Sequence, residues 1–201
     1  MLLVPVIAFA LAGTATPTET VKKGNDEVQK ILKSDSGTVD KLAAKADEFI
    51  DFPELAKRAL GDEWGKLNKK QQAEFSDTMK GLLRASYAQR AVQEGKGGSD
   101  LNYVGEKVDG NEATVSTTVA VKKDKVPVDY KLFRLDAKSP WRIYDVITDD
   151  ASLVTTYNDQ FRQVIAKKGY DGLLSTLKKR REQLEADNKN KPVSDAAPKG
   201  G

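Results

Sequence analysis

Cysteine and histidine are both absent from the 201 residues. Without cysteine there is no disulfide, no zinc–thiolate centre and no thiol nucleophile. Without histidine the usual general base near neutral pH and the usual transition-metal ligand are missing, which excludes the common hydrolase constellations. Charge of one sign is also lacking. Thirty-three Lys and Arg against 30 Asp and Glu leave a net charge of +3, a mixed surface that gives little reason to expect nucleic acid as a partner. Long apolar runs are scarce. The one at Leu2 to Ala12 is too short to span a bilayer comfortably. The length suits a single domain.

That early run is followed by small residues and then by polar Thr16-Pro17-Thr18-Glu19. The shape predicts a secretory signal peptide over residues 1–15, cleaved after Ala12 or Ala15, although no Lys or Arg precedes it. At the other end the composition from Asp187 onward is that of a disordered tail, 187–201. Residues 16–186 remain as one folded unit.

Within that unit helices come first. Val21, Val28, Ile31 and Leu32 predict an outer helix over Glu19 to Lys33, weakened by Gly24 and Asn25. Ser34 to Gly37 turns. Val39, Leu42, Ala43, Ala46, Phe49 and Ile50 mark a second helix, and Pro53 to Leu60 a third that ends at Gly61. Asn68 and Gln71 form a capping box for a long helix reaching about Ala91, with Phe75, Met79, Leu82, Leu83 and Ser86 inward and Tyr87 at the edge. Glu94 to Ser99 is a glycine-rich loop without a phosphate-loop pattern.

Period-two alternation follows: Leu101 to Val108, Glu112 to Val121 and Val126 to Leu135, joined by short turns at Asp109-Gly110-Asn111 and Lys122 to Lys125. Pro127 places the start of the third strand at an edge or bulge. Trp141 opens a fourth strand, with Trp141, Ile143 and Ile147 expected on one face and Tyr144 and Val146 on the other, both covered. Asp149, Asp150 and Ser152 then supply cap chemistry for a helix striped by Leu153, Tyr157, Phe161 and Ile165. Lys168-Gly169 closes it. Asp171 caps a last helix with Leu173, Leu174, Leu177 and Leu184 inside, and Lys178 to Arg181 reads as a solvated face or, less simply, a docking patch. The class is α+β: a four-stranded antiparallel meander between N-terminal and C-terminal helices.

Assembled, these segments resemble the MlaC family of toluene-tolerance auxiliary proteins. Trp141 to Val146, Ser152-Leu153-Val154, Tyr157 and Gln160-Phe161-Arg162 resemble its C-terminal hallmark. Asp51 to Ala56, Arg58 to Gly61 and Trp64 are similar to its early motif, Val128 to Leu132 to its third strand and Gly169 to Leu173 to the start of its final helix. Two places depart from it: the turn Asp149-Asp150-Ala151, where a glycine is usual, and Asn158, where an arginine follows the tyrosine. The resemblance implies an NTF2-like sheet wrapped by helices around an apolar cavity. It implies a monomeric periplasmic phospholipid carrier with no cofactor and no catalysis. Its partners would be phospholipid, an inner-membrane Mla ABC transporter complex and an outer-membrane MlaA-type lipoprotein complex, in the upkeep of outer-membrane lipid asymmetry.

A carrier of that kind needs a dry lining. Each buried methylene contributes about 0.8 kcal/mol, while the charged headgroup belongs at the mouth. The lining candidates are Met79, Leu82, Leu83, Tyr87, Val115, Val119, Tyr130, Leu132, Tyr144, Val146, Leu153 and Tyr157, each taken singly more simply read as plain core. Tyr144 and Tyr157, apolar bodies with polar tips, are the mouth candidates. Asp145 supplies the competing reading, an NTF2-like small-molecule binder or enzyme with this carboxylate as base. The simpler expectation for Asp145 is an ion pair with Arg142, Arg162 or another basic residue.

Overall fold

The computed structural model describes residues 15–34, 39–93, 101–121 and 124–190. The expected signal peptide through residue 14, the turn at 35–37, the loop at 94–99, residues 122–123 of the second hairpin and the tail beyond 190 lie outside the described residues.

Five helices and a sheet follow in chain order: α1 (Pro17–Lys33), α2 (Val39–Phe49), α3 (Phe52–Leu60), a 3-10 turn (Gly61–Lys66), α4 (Lys69–Gln93), β1 (Leu101–Asp109), β2 (Glu112–Val121), β3 (Asp124–Phe133), β4 (Arg142–Thr148), β5 (Ala151–Ser152) and α5 (Leu153–Asn190). The sheet is an antiparallel meander in the order β1-β2-β3-β4-β5. It therefore has five strands where four were expected. The fifth arises at Asp149 and Asp150, which both adopt positive φ (49° and 62°). Two such residues make a tight hairpin turn of the kind that usually takes Asn-Gly, and it brings Ala151 opposite Thr148.

Local chemistry sets the helix starts. Thr16 and Glu19 form a reciprocal capping box at α1 (3.1 and 2.7 Å), Asp51 caps α3 through Glu54 N (2.9 Å), and Asn68 and Gln71 exchange bonds of 3.0 Å ahead of α4. Pro127 opposes Thr118 of β2, and pairing with β4 begins only at Val128, so its missing N–H falls where β3 is locally an edge. Gly169 (φ 69°, ψ 179°) kinks α5 between the two helical stretches read from the sequence. The second stretch continues through Asn190, past Asp187 where the tail composition begins.

Two apolar cores result. A helical core joins α3, α4 and α5 around Phe75, Met79, Leu82, Leu83, Phe161 and Leu173. A sheet core joins α1 and α2 to the inner face of the sheet through Val21, Phe49, Val115, Leu132, Trp141 and Ile143. Ile50 packs against both and bridges to Ile143 of β4.

Candidate functional site

The inner face of the sheet is built by register. Ala113, Val115 and Thr117 of β2 stand opposite Leu132, Tyr130 and Val128 of β3, and Leu101 and Tyr103 of β1 stand opposite Val119 and Thr117. Ile143 opposes Leu132 and Val146 opposes Tyr130, because β4 carries one extra residue between them. That bulge corrects the period-two reading of β4. Val146 joins Trp141 and Ile143 on the inner side, while Tyr144 and Asp145 both turn to the outer side. A bulge inserts a residue without a partner and reverses parity beyond it.

Helix α1 closes over this face by a glycine. A Cβ on Gly24 would meet the Phe49 ring at 3.1 Å, so the bare backbone lets α1 approach α2. Thr18, near the start of α1, donates from its amide (2.8 Å) and hydroxyl (2.6 Å) to Glu106 of β1. Val21 and Phe49 are buried against the sheet, with Leu101, Tyr103, Tyr130 and Val146 partly buried around them. Burial pushes the Tyr103 phenol up to about 12, with the Asp26 carboxylate and Tyr130 adding to the effect. Burial also raises Tyr130.

The expected lining residues fall into separate places. Val115, Val119, Tyr130, Leu132 and Val146 share the inner face. Met79, Leu82 and Leu83 are buried in the helical core, and Leu153 and Tyr157 pack onto it. Tyr157 stacks at 5.4 Å on Phe161, which meets Phe75 edge-on at 5.8 Å. Tyr87 is 48% exposed on α4. Tyr144 lies on the outer side, where Arg58 of α3 stacks on its ring at 3.8 Å and its hydroxyl donates to Glu112 at 3.2 Å. Burial is the largest influence on that phenol, raising it to about 12 against the opposing pull of Arg58. The structure thus does not gather the twelve residues into one wall. Sequence reasoning missed Tyr103, Gly24 and Phe49 as members of the inner-face site. The alternation of Leu101 and Tyr103 was a signal for the first. Nothing local announced that Gly24 would meet Phe49.

Asp145 has neither of the expected basic partners. One carboxylate oxygen accepts the amides of Val146 (2.9 Å) and Val154 (3.0 Å), and the other accepts the Ser152 hydroxyl at 2.6 Å. It holds the first turn of α5, where exposed amides and the helix dipole favour a negative charge. Arg142 instead donates to the carbonyls of Asp47 and Ile50 at the end of α2 (2.8 and 2.7 Å). Asn158 donates to Ala59 O at 3.0 Å, closing the end of α3 beside Gly61, where the φ of 61° favours glycine and a Cβ would meet the Asn158 amide at 2.7 Å. In the basic run, Lys178 pairs with Glu74 and Arg181 with Asp77 and Glu185, while Lys179 and Arg180 are exposed.

A cleft of about 160 Å³ opens at the junction of α2, α3 and α4, lined by Asp47, Phe52, Lys80 and Arg142 among others. Its charges are paired: Lys80 with Asp47, which Arg84 outside the cleft also holds, Arg142 with Asp51 and Asp77 with Arg181. Among the described residues no group of three His, Cys, Asp or Glu is placed to hold a metal ion, and no helix is long and apolar enough to cross a membrane.

Comparison with known proteins bears on this arrangement. No curated protein sequence matches the chain. Among solved structures, a phospholipid-binding protein from Ralstonia solanacearum, determined in complex with a phospholipid, is similar over 85% of this chain and 99% of its own, with 27% identity and a TM-score of 0.74. The family model for MlaC protein matches residues 16–179. By that match, and with the helix-wrapped meander just described, the chain belongs to the MlaC family.

Proposed function

We propose that this protein is a periplasmic phospholipid carrier. It takes phospholipid at an outer-membrane MlaA-type lipoprotein complex or an inner-membrane Mla ABC transporter complex, and moves it between them. The observation that carries the reading is the likeness, over 85% of this chain and 99% of the other, to a protein holding a phospholipid. The inner sheet face supports it. Val115 and Leu132 are fully buried there, beside the partly buried Leu101, Tyr130 and Val146 and under a helix admitted by Gly24. Acyl chains placed against such a face leave water at about 0.8 kcal/mol per methylene. The expected signal peptide supports export. The inventory supports carriage over catalysis: Asp145, the one candidate base, is held by two amides and a hydroxyl at the start of α5.

The test is native mass spectrometry of protein purified without detergent, followed by solvent extraction and by uptake from vesicles carrying labelled phospholipid. Phospholipid is expected in the extract and in the uptake assay. A chain that comes out empty and stays empty beside the vesicles sinks the reading.

A further inference from the structure

The inner face holds a polar atom that no described residue satisfies. The Tyr103 hydroxyl is shut away from solvent and has no hydrogen-bond partner among the described residues. Buried hydroxyls are normally paired, because losing water without a replacement is costly. One residue in register with it and one on the diagonal make up a polar row on this part of the sheet. Thr117, opposite Tyr103, is almost fully buried, and its hydroxyl donates to Val128 O at 2.9 Å. Tyr130 stands one pair further along β2, opposite Val115, and among the described residues its hydroxyl has no hydrogen bond. The apolar side chains around this row are Val21, Phe49, Val115 and Leu101, and the Glu106 carboxylate, opposite Val115, is already taken by Thr18 of α1.

The chemistry of the row narrows what fits it. The Tyr103 phenol stays protonated at neutral pH, so it offers a donor. Asp26 of α1 is near enough to oppose its ionisation, and the same carboxylate opposes an incoming phosphate. A charge placed in an apolar seam without a counter-charge is costly in any case. An uncharged acceptor attached to long apolar chains suffers neither penalty. The ester carbonyl that joins each acyl chain to glycerol is such an acceptor.

We propose that Tyr103, with Tyr130 beside it, hydrogen-bonds an acyl-ester carbonyl of the cargo, so that the protein selects ester-linked over ether-linked lipids. This rests on the phospholipid reading above. Tyr103 sets which linkage is preferred, and the apolar face holds the chains of either.

The experiment presents the full chain and its Tyr103→Phe variant with vesicles containing equal amounts of dipalmitoyl phosphatidylcholine and its dihexadecyl diether analogue. The bound ratio is read by native mass spectrometry. The wild type is expected to favour the ester lipid about fivefold, the worth of one hydrogen bond of ordinary net strength. Tyr103→Phe is expected to bind both equally and, lacking only an unpaired hydroxyl, to melt no lower than the wild type without lipid. Equal binding of the two lipids by the wild type, an unchanged preference in Tyr103→Phe, or a lower melting temperature in the variant overturns the assignment and leaves lipid carriage standing. A wild type that takes up neither lipid overturns carriage itself, and this assignment with it.

Discussion

The helical core and the sheet core differ in how completely they satisfy themselves. In the helical core Phe75, Met79 and Leu173 are sealed, three aromatic rings meet edge-on or tilted, and Tyr170 reaches Gln71 O with its hydroxyl. The sheet core has a glycine where α1 meets α2, half-buried tyrosines and a hydroxyl with no partner among the described residues. Interiors normally pack closely and pair their polar groups. A region that does so is spent on stability, whereas one that stops short has capacity left for a ligand. On the proposed function the two cores divide these tasks, and substitutions at five positions probe the division.

The largest effect is expected from Phe75→Ala, which empties the centre of the helical core. It should cost about 3–5 kcal/mol in urea unfolding, while the molecules that remain folded take up phospholipid normally. Impaired uptake per folded molecule would merge the two cores into one site. Next comes Asp145→Ala. Removing a buried carboxylate from two amides and a hydroxyl should cost about 3 kcal/mol. Asp145→Asn keeps the shape but sets an amide group against those donors, and its loss of stability should be measurable by the same titration.

Gly24→Leu addresses the other half. Its side chain must displace the Phe49 ring, at a cost of about 2 kcal/mol, and it fills the seam over the inner face. Vesicle uptake should fall more than stability does, the reverse of Phe75→Ala. A smaller effect is expected at the clamp between the halves. The hydrogen bond from Arg58 holds the Glu112 carboxyl below its ordinary value. Its folded pKa is depressed, so the contribution is present above about 4.5, the unfolded value, and is lost as pH falls through the lower folded one. Glu112 is half exposed, so the contribution should stay under about 1 kcal/mol. Glu112→Gln should flatten the acid limb of the stability profile by that amount. The smallest change is Asp150→Gly, which relieves a positive φ and should raise stability by no more than about 1 kcal/mol, read as a small rise in melting temperature.

Much of the fold was legible because its signals are local. The Asn68–Gln71 capping box, the stop at Gly61, the edge-like start at Pro127 and the period-two strands all rest on residues a few positions apart. The candidate site was less legible because it depends on non-local events. Tyr144 and Val146 were read onto one face, and the bulge at Tyr144 separated them. Asp145 was expected to meet a base, but the first turn of α5 satisfied it, since the Asp149-Asp150 hairpin folds that turn back onto the strand. Asn158, read only as a departure from the family's pattern, closes α3. Met79 and Val115 belong to equally clear apolar patterns, and periodicity alone cannot say that they enter different cores.

The bulge in β4 has a further consequence. It lets three consecutive residues address three different parts of the molecule: Ile143 the inner face, Tyr144 the Arg58 of α3, and Asp145 the start of α5. A regular strand can serve only two directions. This short stretch therefore acts as a crossroads where both halves take their bearings, and its spelling is as binding as its composition. A substitution here weakens one route, but the removal of a single residue would redirect every residue downstream to the wrong destination. Length variation in such a chain is consequently tolerated at the hairpin tips and forbidden between Ile143 and Val146.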